Sequence, residues 1–329
     1  MFTKQKILPS AERIRALCPL DDKLNKLKLQ FDEQLKNNFV KHNKLTVICG
    51  PCSADSSAPM QEYLRRLGNE QKNFENLLIV ARIYTTKPHS NGQGYQGTCF
   101  HESIFDCVDL EQGIIRARRI MIDCLKTGLS VADELLYPEL YPYFCDLVSY
   151  WFIGARSSED ALHRAFASGL DVCCGIKNGT DGDILKAIDS VYAVANPCVF
   201  PFDGCQIVTN GSKYSHLVLR GGKLGDKFVP NLFTENTKFA KDYLKRLGLN
   251  DFVMVDLSHA NSSKIALNQI DNAKLVAANT DVNGVMMESY IDCGTDDNAY
   301  GVSKTDDCLS ICDTLTAFRI LNEGFSNRK

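Results

Sequence analysis

No apolar run in the 329 residues approaches the length of about 18 that crosses a bilayer, which argues against a membrane-spanning helix. The opening stretch, MFTKQKILPSAERIRALCPL, lacks the uninterrupted apolar core of a secretory signal, so the chain is expected to stay in the cytoplasm. An excess of positive charge is missing too, since 37 Lys and Arg stand against 40 Asp and Glu, a net −3. No global field then exists to hold nucleic acid or an anionic membrane, and any bound anion must be caught locally. No internal repeat is found. What is there, 44% hydrophobic, 23% charged and 9% aromatic residues, is the composition of a folded globular chain, neither disordered nor collagen-like. Fourteen cysteines lie scattered in apolar stretches such as LDVCCGI and IDCL, where a thiol behaves as a small buried hydrophobe. A reducing compartment fits them better than a disulfide framework.

Residues 1–44, rich in Lys, Asp and Asn and helical in pattern around LDDKLNKLKLQFDEQL, read as an extension before a main domain of residues 45–329. Beyond it, β-rich runs alternate with amphipathic ones. Eight strands are expected, at LTVIC from 45, LLIVARIY from 77, LSVADE from 129, WFIGAR from 151, DVCCGIK from 171, HLVLRGG from 216, DFVMVDLSH from 251 and NGVMMESY from 283. Helical patterns follow most of them, including ELYPYFCDLVSY from 139 and KIALNQIDNAKLVAAN from 264. Eight such pairs fit an α/β (β/α)8 TIM barrel with an N-terminal helical extension, with a doubly wound open sheet as the other fold of this rhythm. The segment 198–215 has no counterpart in the alternation and is expected to hold an extra hairpin.

In a barrel, the C-terminal ends of the strands converge on one mouth. Cys52, Arg82 with Lys87, Glu134, Arg156, Lys177, Arg220, His259 and Glu288 stand at or just beyond those ends. One set is cationic: Arg82, Lys87, Arg156, Lys177 and Arg220. A lone Arg ordinarily reads as a solvated surface cation or a salt bridge, but five cations at one mouth would repel one another without a multiply charged guest, and a small phosphorylated carboxylic acid suits them. The other set is Cys52, His259, Glu288 and a late-loop carboxylate such as Asp306. Thiolate, imidazole and carboxylate together suit a first-row transition metal better than Mg2+ or Ca2+. Taken singly, His259 reads as a core histidine and Cys52 as a buried thiol.

Two short motifs point elsewhere and are set aside. Cys49-Gly-Pro-Cys52 has thioredoxin-like spacing, but Cys49 belongs to a strand and not to a helix N-terminus. Gly92-Gln-Gly94-Tyr-Gln-Gly97 matches GxGxxG, yet it falls well after its strand and no apolar helix opens on its third glycine, so an active-site loop is the better reading.

Taken together, GPCS at 50, ARIYTTKP at 81, ADE at 132, IGARSSE at 153, HRAFASGL at 163, GIKNGTDG at 175, LRGGK at 219, DLSHANSSK at 256, GVMMESY at 284 and YGVSKTDD at 300 resemble the type I 3-deoxy-D-arabino-heptulosonate 7-phosphate (DAHP) synthases. The strings keep the family's order with compatible gaps. The resemblance implies a (β/α)8 barrel that condenses phosphoenolpyruvate with erythrose 4-phosphate, the first step of the shikimate pathway to the aromatic amino acids. It further implies one divalent metal (Mn, Fe, Co or Zn) on Cys52, His259, Glu288 and Asp306, and phosphoenolpyruvate gripped by Arg82, Lys87, Arg156, Lys177 and Arg220 with backbone at Gly154 and Ala155. Lys87 is then the expected proton donor; the water is activated either by Glu134 or by a metal-bound water, and Glu134 otherwise orients a cation. The resemblance also implies a homodimer or homotetramer and an aromatic amino acid as inhibitor, at a site near Leu170 and Asp171.

The match departs at the aldose-phosphate motif. Where the family reads Lys-Pro-Arg-Thr this chain reads Lys87-Pro88-His89-Ser90, and a cation often found a little further on is Gln96. Losing a charged hydrogen bond to an anion costs about 1.5 to 3 kcal/mol. Either erythrose 4-phosphate is held by other cations or the acceptor is a different aldose, with Ser90 still able to stand in for Thr. A non-catalytic regulatory homologue would have lost a metal ligand or a phosphoenolpyruvate cation, and none is lost.

Overall fold

The computed structural model describes residues 1–88, 94–102 and 107–328. Eight parallel strands close into a barrel: β1 Leu45–Gly50, β2 Leu77–Arg82, β3 Ser130–Glu134, β4 Val148–Ile153, β5 Cys173–Lys177, β6 Ser215–Leu219, β7 Val253–Asp256 and β8 Gly284–Glu288. The ring order is β1-β8-β7-β6-β5-β4-β3-β2, so consecutive strands are neighbours and β1 stands across the barrel from β5. Every residue of these strands is buried. That is why they read as near-continuous apolar runs without clean alternation.

The alternation survives in chemistry. Inward positions recur every second residue. Ile48, Val80, Ala132, Phe152, Val218, Met254 and Met286 form one apolar cluster inside the barrel. The next inward position toward the C-terminal ends brings Arg82, Glu134, Lys177, Arg220, Asp256 and Glu288 to one level, with glycine on β1 and β4 (Gly50 and Gly154). Three cations and three carboxylates thus cap an apolar stack. Below it, Tyr150, His216 and Phe252 form the opposite end.

Helices α1 Ala11–Leu17 and α2 Asp22–Lys41 precede the barrel. Asp21 caps α2 by accepting from Leu24 N at 2.8 Å. Leu35 and Phe39 of α2 join the interior cluster, and the Phe39 ring stacks on Phe252 at 4.9 Å and lies 5.2 Å from His216. The extension therefore closes the N-terminal end of the barrel. Outer helices α3 Ser57–Glu70, α4 Leu110–Lys126, α5 Tyr141–Phe144, α6 Ala161–Ala167, α7 Ile184–Ala195, α8 Thr234–Arg246, α9 Asn268–Ala277 and α10 Ile311–Ser326 complete the fold. The segment after α7 forms the expected hairpin, Val199–Phe202 against Cys205–Val208, turning at Asp203 and Gly204, both with positive φ. All fourteen cysteines are free.

Two helical expectations are corrected. The pattern from 139 yields only four α-helical residues, because Pro138–Leu140 form a 3-10 turn before it and Val148–Tyr150 already belong to β4. The pattern from 264 begins as helix only at Asn268, because His259, Ser263 and Lys264 all take positive φ, which no α-helix accommodates. Those turns carry chemistry.

Candidate active site

A cavity of about 600 Å³ opens at the C-terminal ends of the strands. Arg82, Lys87, Glu134, Gly154, Ala155, Arg156, Lys177, Arg220, His259 and Asp306, read from seven separate stretches of sequence, all line it. Cys52 and Glu288 lie immediately behind this lining and touch it. His89 and Ser90 fall outside the described residues, as does Gly92 of the glycine motif.

The cations are less bare than the sequence suggested. Arg82 Nη1 donates to Glu288 Oε1 at 2.8 Å and its Nη2 to Cys52 O at 2.9 Å. Lys177 Nζ donates to Asp256 Oδ2 at 3.1 Å. Lys87 Nζ lies 2.6 Å from Cys52 Sγ and 3.9 Å from Asp306 Oδ2. The expectation that mutual repulsion of the five cations demands an anionic guest is thereby corrected, since Glu288 and Asp256 of the same level and Asp306 of the late loop already offset three of them. Arg220 has no such partner among the described residues; its Nη1 reaches only Gly221 O at 3.3 Å. Burial lowers the pKa of Arg220 and of Lys177, with neighbouring cations adding to the effect, so an arriving anion relieves both.

Position is enforced from behind. Asn178 Oδ1 accepts the Arg220 backbone N–H at 2.8 Å, and Asn231 and Asn261 extend this amide network beneath the turn. Glu134 rests directly on Gly154, where an added Cβ would come to 1.9 Å from Oε1, so only glycine leaves room for that carboxylate.

The sulfur and two carboxylates also meet, and the imidazole of His259 stands beside them at Glu288. Ligand atoms of Cys52, Glu288 and Asp306 all lie within 4.8 Å of one another. His259 Nε2 is 3.6 Å from Glu288 Oε1, while its Nδ1 is 2.8 Å from Asp256 Oδ2 and from Ser258 Oγ. A proton held on Nδ1 toward Asp256 turns the Nε2 lone pair toward the cluster. Burial pushes the Cys52 thiol up to about 11, with Glu288 adding to the rise and Lys87 opposing it. Burial alone would raise Asp306 and Glu288, but nearby cations and His259 outweigh it and hold both below the usual range. Two ionised carboxylates and a thiol, with an imidazole alongside, are a donor set a soft divalent cation satisfies, and Lys87 already marks the place as one that favours positive charge.

Asp256 was missed in the sequence, although it ends β7 three residues before His259, and the strand-end rule applied to every residue of DLSH would have caught it. Lys264, Asp297 and Lys304 also line the cavity. They come from long connections whose course no local pattern announces. Cys49, by contrast, faces away: its Sγ is 3.2 Å from Tyr63 OH of α3, and burial lifts it to about 11. The two thiols of CGPC serve separate environments.

The DAHP synthetase I family model matches residues 29–316. A phospho-2-dehydro-3-deoxyheptonate aldolase of Corynebacterium glutamicum is 32% identical over 98% of this chain and 93% of the relative. The Tyr-sensitive phospho-2-dehydro-3-deoxyheptonate aldolase of Escherichia coli K12 is 32% identical over 94% of this chain and 90% of its own. A solved structure of the Francisella tularensis SCHU S4 phospho-2-dehydro-3-deoxyheptonate aldolase superposes with a TM-score of 0.93, at 30% identity and full coverage of both chains. With nearly its whole length inside the family model and its barrel matched end to end, the chain belongs to the DAHP synthetase I family.

Proposed function

We propose that the protein condenses phosphoenolpyruvate with erythrose 4-phosphate, using a divalent transition metal held by Cys52, His259, Glu288 and Asp306. The observation that carries this reading is the single cavity where four phosphate-competent cations adjoin a sulfur, nitrogen and carboxylate donor set. Arg156, Lys177 and Arg220 suit the phosphate and carboxylate of phosphoenolpyruvate, with Arg82 anchored at the cavity floor by Glu288. When bound, the metal supplies Lewis acidity to the aldehyde carbonyl.

C3 of phosphoenolpyruvate forms the new bond to the aldehyde carbon, and the aldehyde oxygen gathers negative charge. Lys87 is the proton donor for that oxygen: Cys52, Glu288 and Asp306 overcome the effect of burial and raise its pKa, so it is charged at neutral pH. Water then adds at C2, the bond from C2 to the phosphate oxygen breaks, and inorganic phosphate leaves from among the arginines. Glu134, wedged on Gly154, faces this region and either takes the proton from water or orients a cation.

The test is phosphate release from phosphoenolpyruvate with erythrose 4-phosphate and Mn2+, abolished by chelation and restored by added metal. A second reading, a different aldose acceptor, is favoured by His89 and Gln96, and a panel of aldoses with and without phosphate decides between them. Sensitivity to an aromatic amino acid is carried over from the name of the Escherichia coli relative, and assembly as a homodimer or homotetramer from the family resemblance; inhibition assays and sedimentation test the two.

A further inference from the structure

The rim of the cavity near β1, β2 and β8 poses a problem of charge. This chain has His89 and Gln96 where the family pattern offers cations, and Gln96 Oε1 is turned to His101, 3.3 Å from its Nε2. Two lysines on this side are already engaged with a carboxylate: Lys87 faces Asp306 beside Cys52, and Lys264 Nζ donates to Asp306 Oδ1 at 3.0 Å.

Lys304 is differently placed. It lines the same cavity, and its ammonium donates to the carbonyl of Glu102 at 3.1 Å and lies 5.2 Å above the ring of Tyr95. Neither partner is an anion, and among the described residues no carboxylate lies within ion-pair distance of it. The platform beneath is fixed, because the Tyr95 ring is buried and its hydroxyl lies 3.2 Å from Ala54 O and 3.0 Å from His101 O. Asp297 shares the rim but is exposed, where solvent and salt screen its charge.

Geometry gives this lysine its place. Arg156, Lys177 and Arg220 follow β4, β5 and β6, whereas Lys304 follows β8 and rests on the connection after β2, across the ring. Lys87, with Cys52 and Asp306 beside it, lines the same cavity. A molecule whose aldehyde meets phosphoenolpyruvate at Lys87 extends its far end toward this rim.

We propose that Lys304 is a specificity-determining residue that holds the phosphate of the acceptor aldose, supplying the cation that positions 89 and 96 lack. The proposal rests on the condensation assigned above. A dianionic phosphate displaces the neutral Glu102 carbonyl as partner, giving an ammonium that otherwise feels only the buried Asp55 through space its one direct charge-assisted contact. The lysine grips as a point charge and lacks the fixed fork of an arginine.

The test compares the wild type with Lys304→Gln and Lys304→Arg, each assayed by phosphate release with erythrose 4-phosphate or with unphosphorylated erythrose. Lys304→Gln is expected to raise KM for erythrose 4-phosphate about ten- to hundredfold, leaving KM for phosphoenolpyruvate and kcat at saturation near wild type. Lys304→Arg restores most of that affinity, and erythrose is handled equally by all three proteins. An unchanged KM for erythrose 4-phosphate in Lys304→Gln, with the wild type active, overturns the proposal while the assigned reaction stands. An equal loss with erythrose or with phosphoenolpyruvate shows general damage and overturns it too. A wild type that releases no phosphate with erythrose 4-phosphate overturns the assigned reaction and this proposal together.

Discussion

At the scale of single residues, chemistry and room can be separated experimentally. Cys52→Ala or His259→Ala removes one proposed metal ligand; turnover in the presence of Mn2+ is expected to vanish. With Co2+ in place of Mn2+, the thiolate-to-metal absorption of the wild type should disappear in Cys52→Ala, a signature independent of activity. Gly154→Ala introduces a methyl group where the Glu134 carboxylate lies, so the flexible end of Glu134 must swing away while the backbone holds. The variant is expected to melt like wild type yet lose about a hundredfold in kcat/KM, since a displacement of about 1 Å suffices for that. Retained activity would mean that Glu134 has no part in the reaction. His216, fully buried, offers a stability test away from the site. Desolvation lowers it to about 4, against only a weak opposing bond to Tyr214 O. Its native form therefore stays neutral while the unfolded chain binds a proton below about 6.5, so stability is complete above that pH and erodes as pH falls toward 4. Urea titrations should show about 2 kcal/mol lost between about pH 7.5 and about pH 5, and a smaller loss in His216→Gln.

At the scale of elements, α2 belongs to the barrel physically. Phe39 is 2% exposed and packs on Phe252, His216 and Tyr214, so Phe39→Ala is expected to cost about 3 to 5 kcal/mol in chemical denaturation. The strands were legible because each is a short apolar run ending in a polar residue that a barrel gathers, as LLIVAR ends in Arg82 and VMVD in Asp256. Less legible was where helices stop. Tyr141–Phe144 and the residues up to Tyr150 satisfy a helical and a strand period at once, and only the pairing of β4 with β3 and β5 decides between them. The turn from His259 to Lys264 was hidden for another reason. Positive φ at non-glycine residues is accompanied by contacts from elsewhere, such as Asp306 on Lys264, and no local propensity reports it. The ligands Cys52, His259, Glu288 and Asp306 could be named from strand ends and family motifs, but their pairings with Arg82, Lys87 and Asp256 exist only once the ring closes.

At the scale of the whole molecule, a cap of mixed charge sits on an apolar stack, and within it Arg82 is paired with Glu288 and Lys177 with Asp256. Ligands should add to the stability of the fold. Phosphoenolpyruvate with Mn2+, at about a hundred times their dissociation constants, is expected to raise the unfolding free energy by about 2.7 kcal/mol per site, seen as a higher melting temperature that chelation reverses. An unchanged melting temperature would remove the proposed binding site.

Phe39 and its neighbours plug one end of the cylinder, so traffic has a single doorway. Lys177 and Arg220 lie buried while Lys304 is part-exposed nearer the mouth, so phosphoenolpyruvate is expected to arrive before the aldose, and its phosphate to depart after the seven-carbon sugar. Inorganic phosphate, last out, should then behave in product-inhibition kinetics as a rival of phosphoenolpyruvate for the empty enzyme.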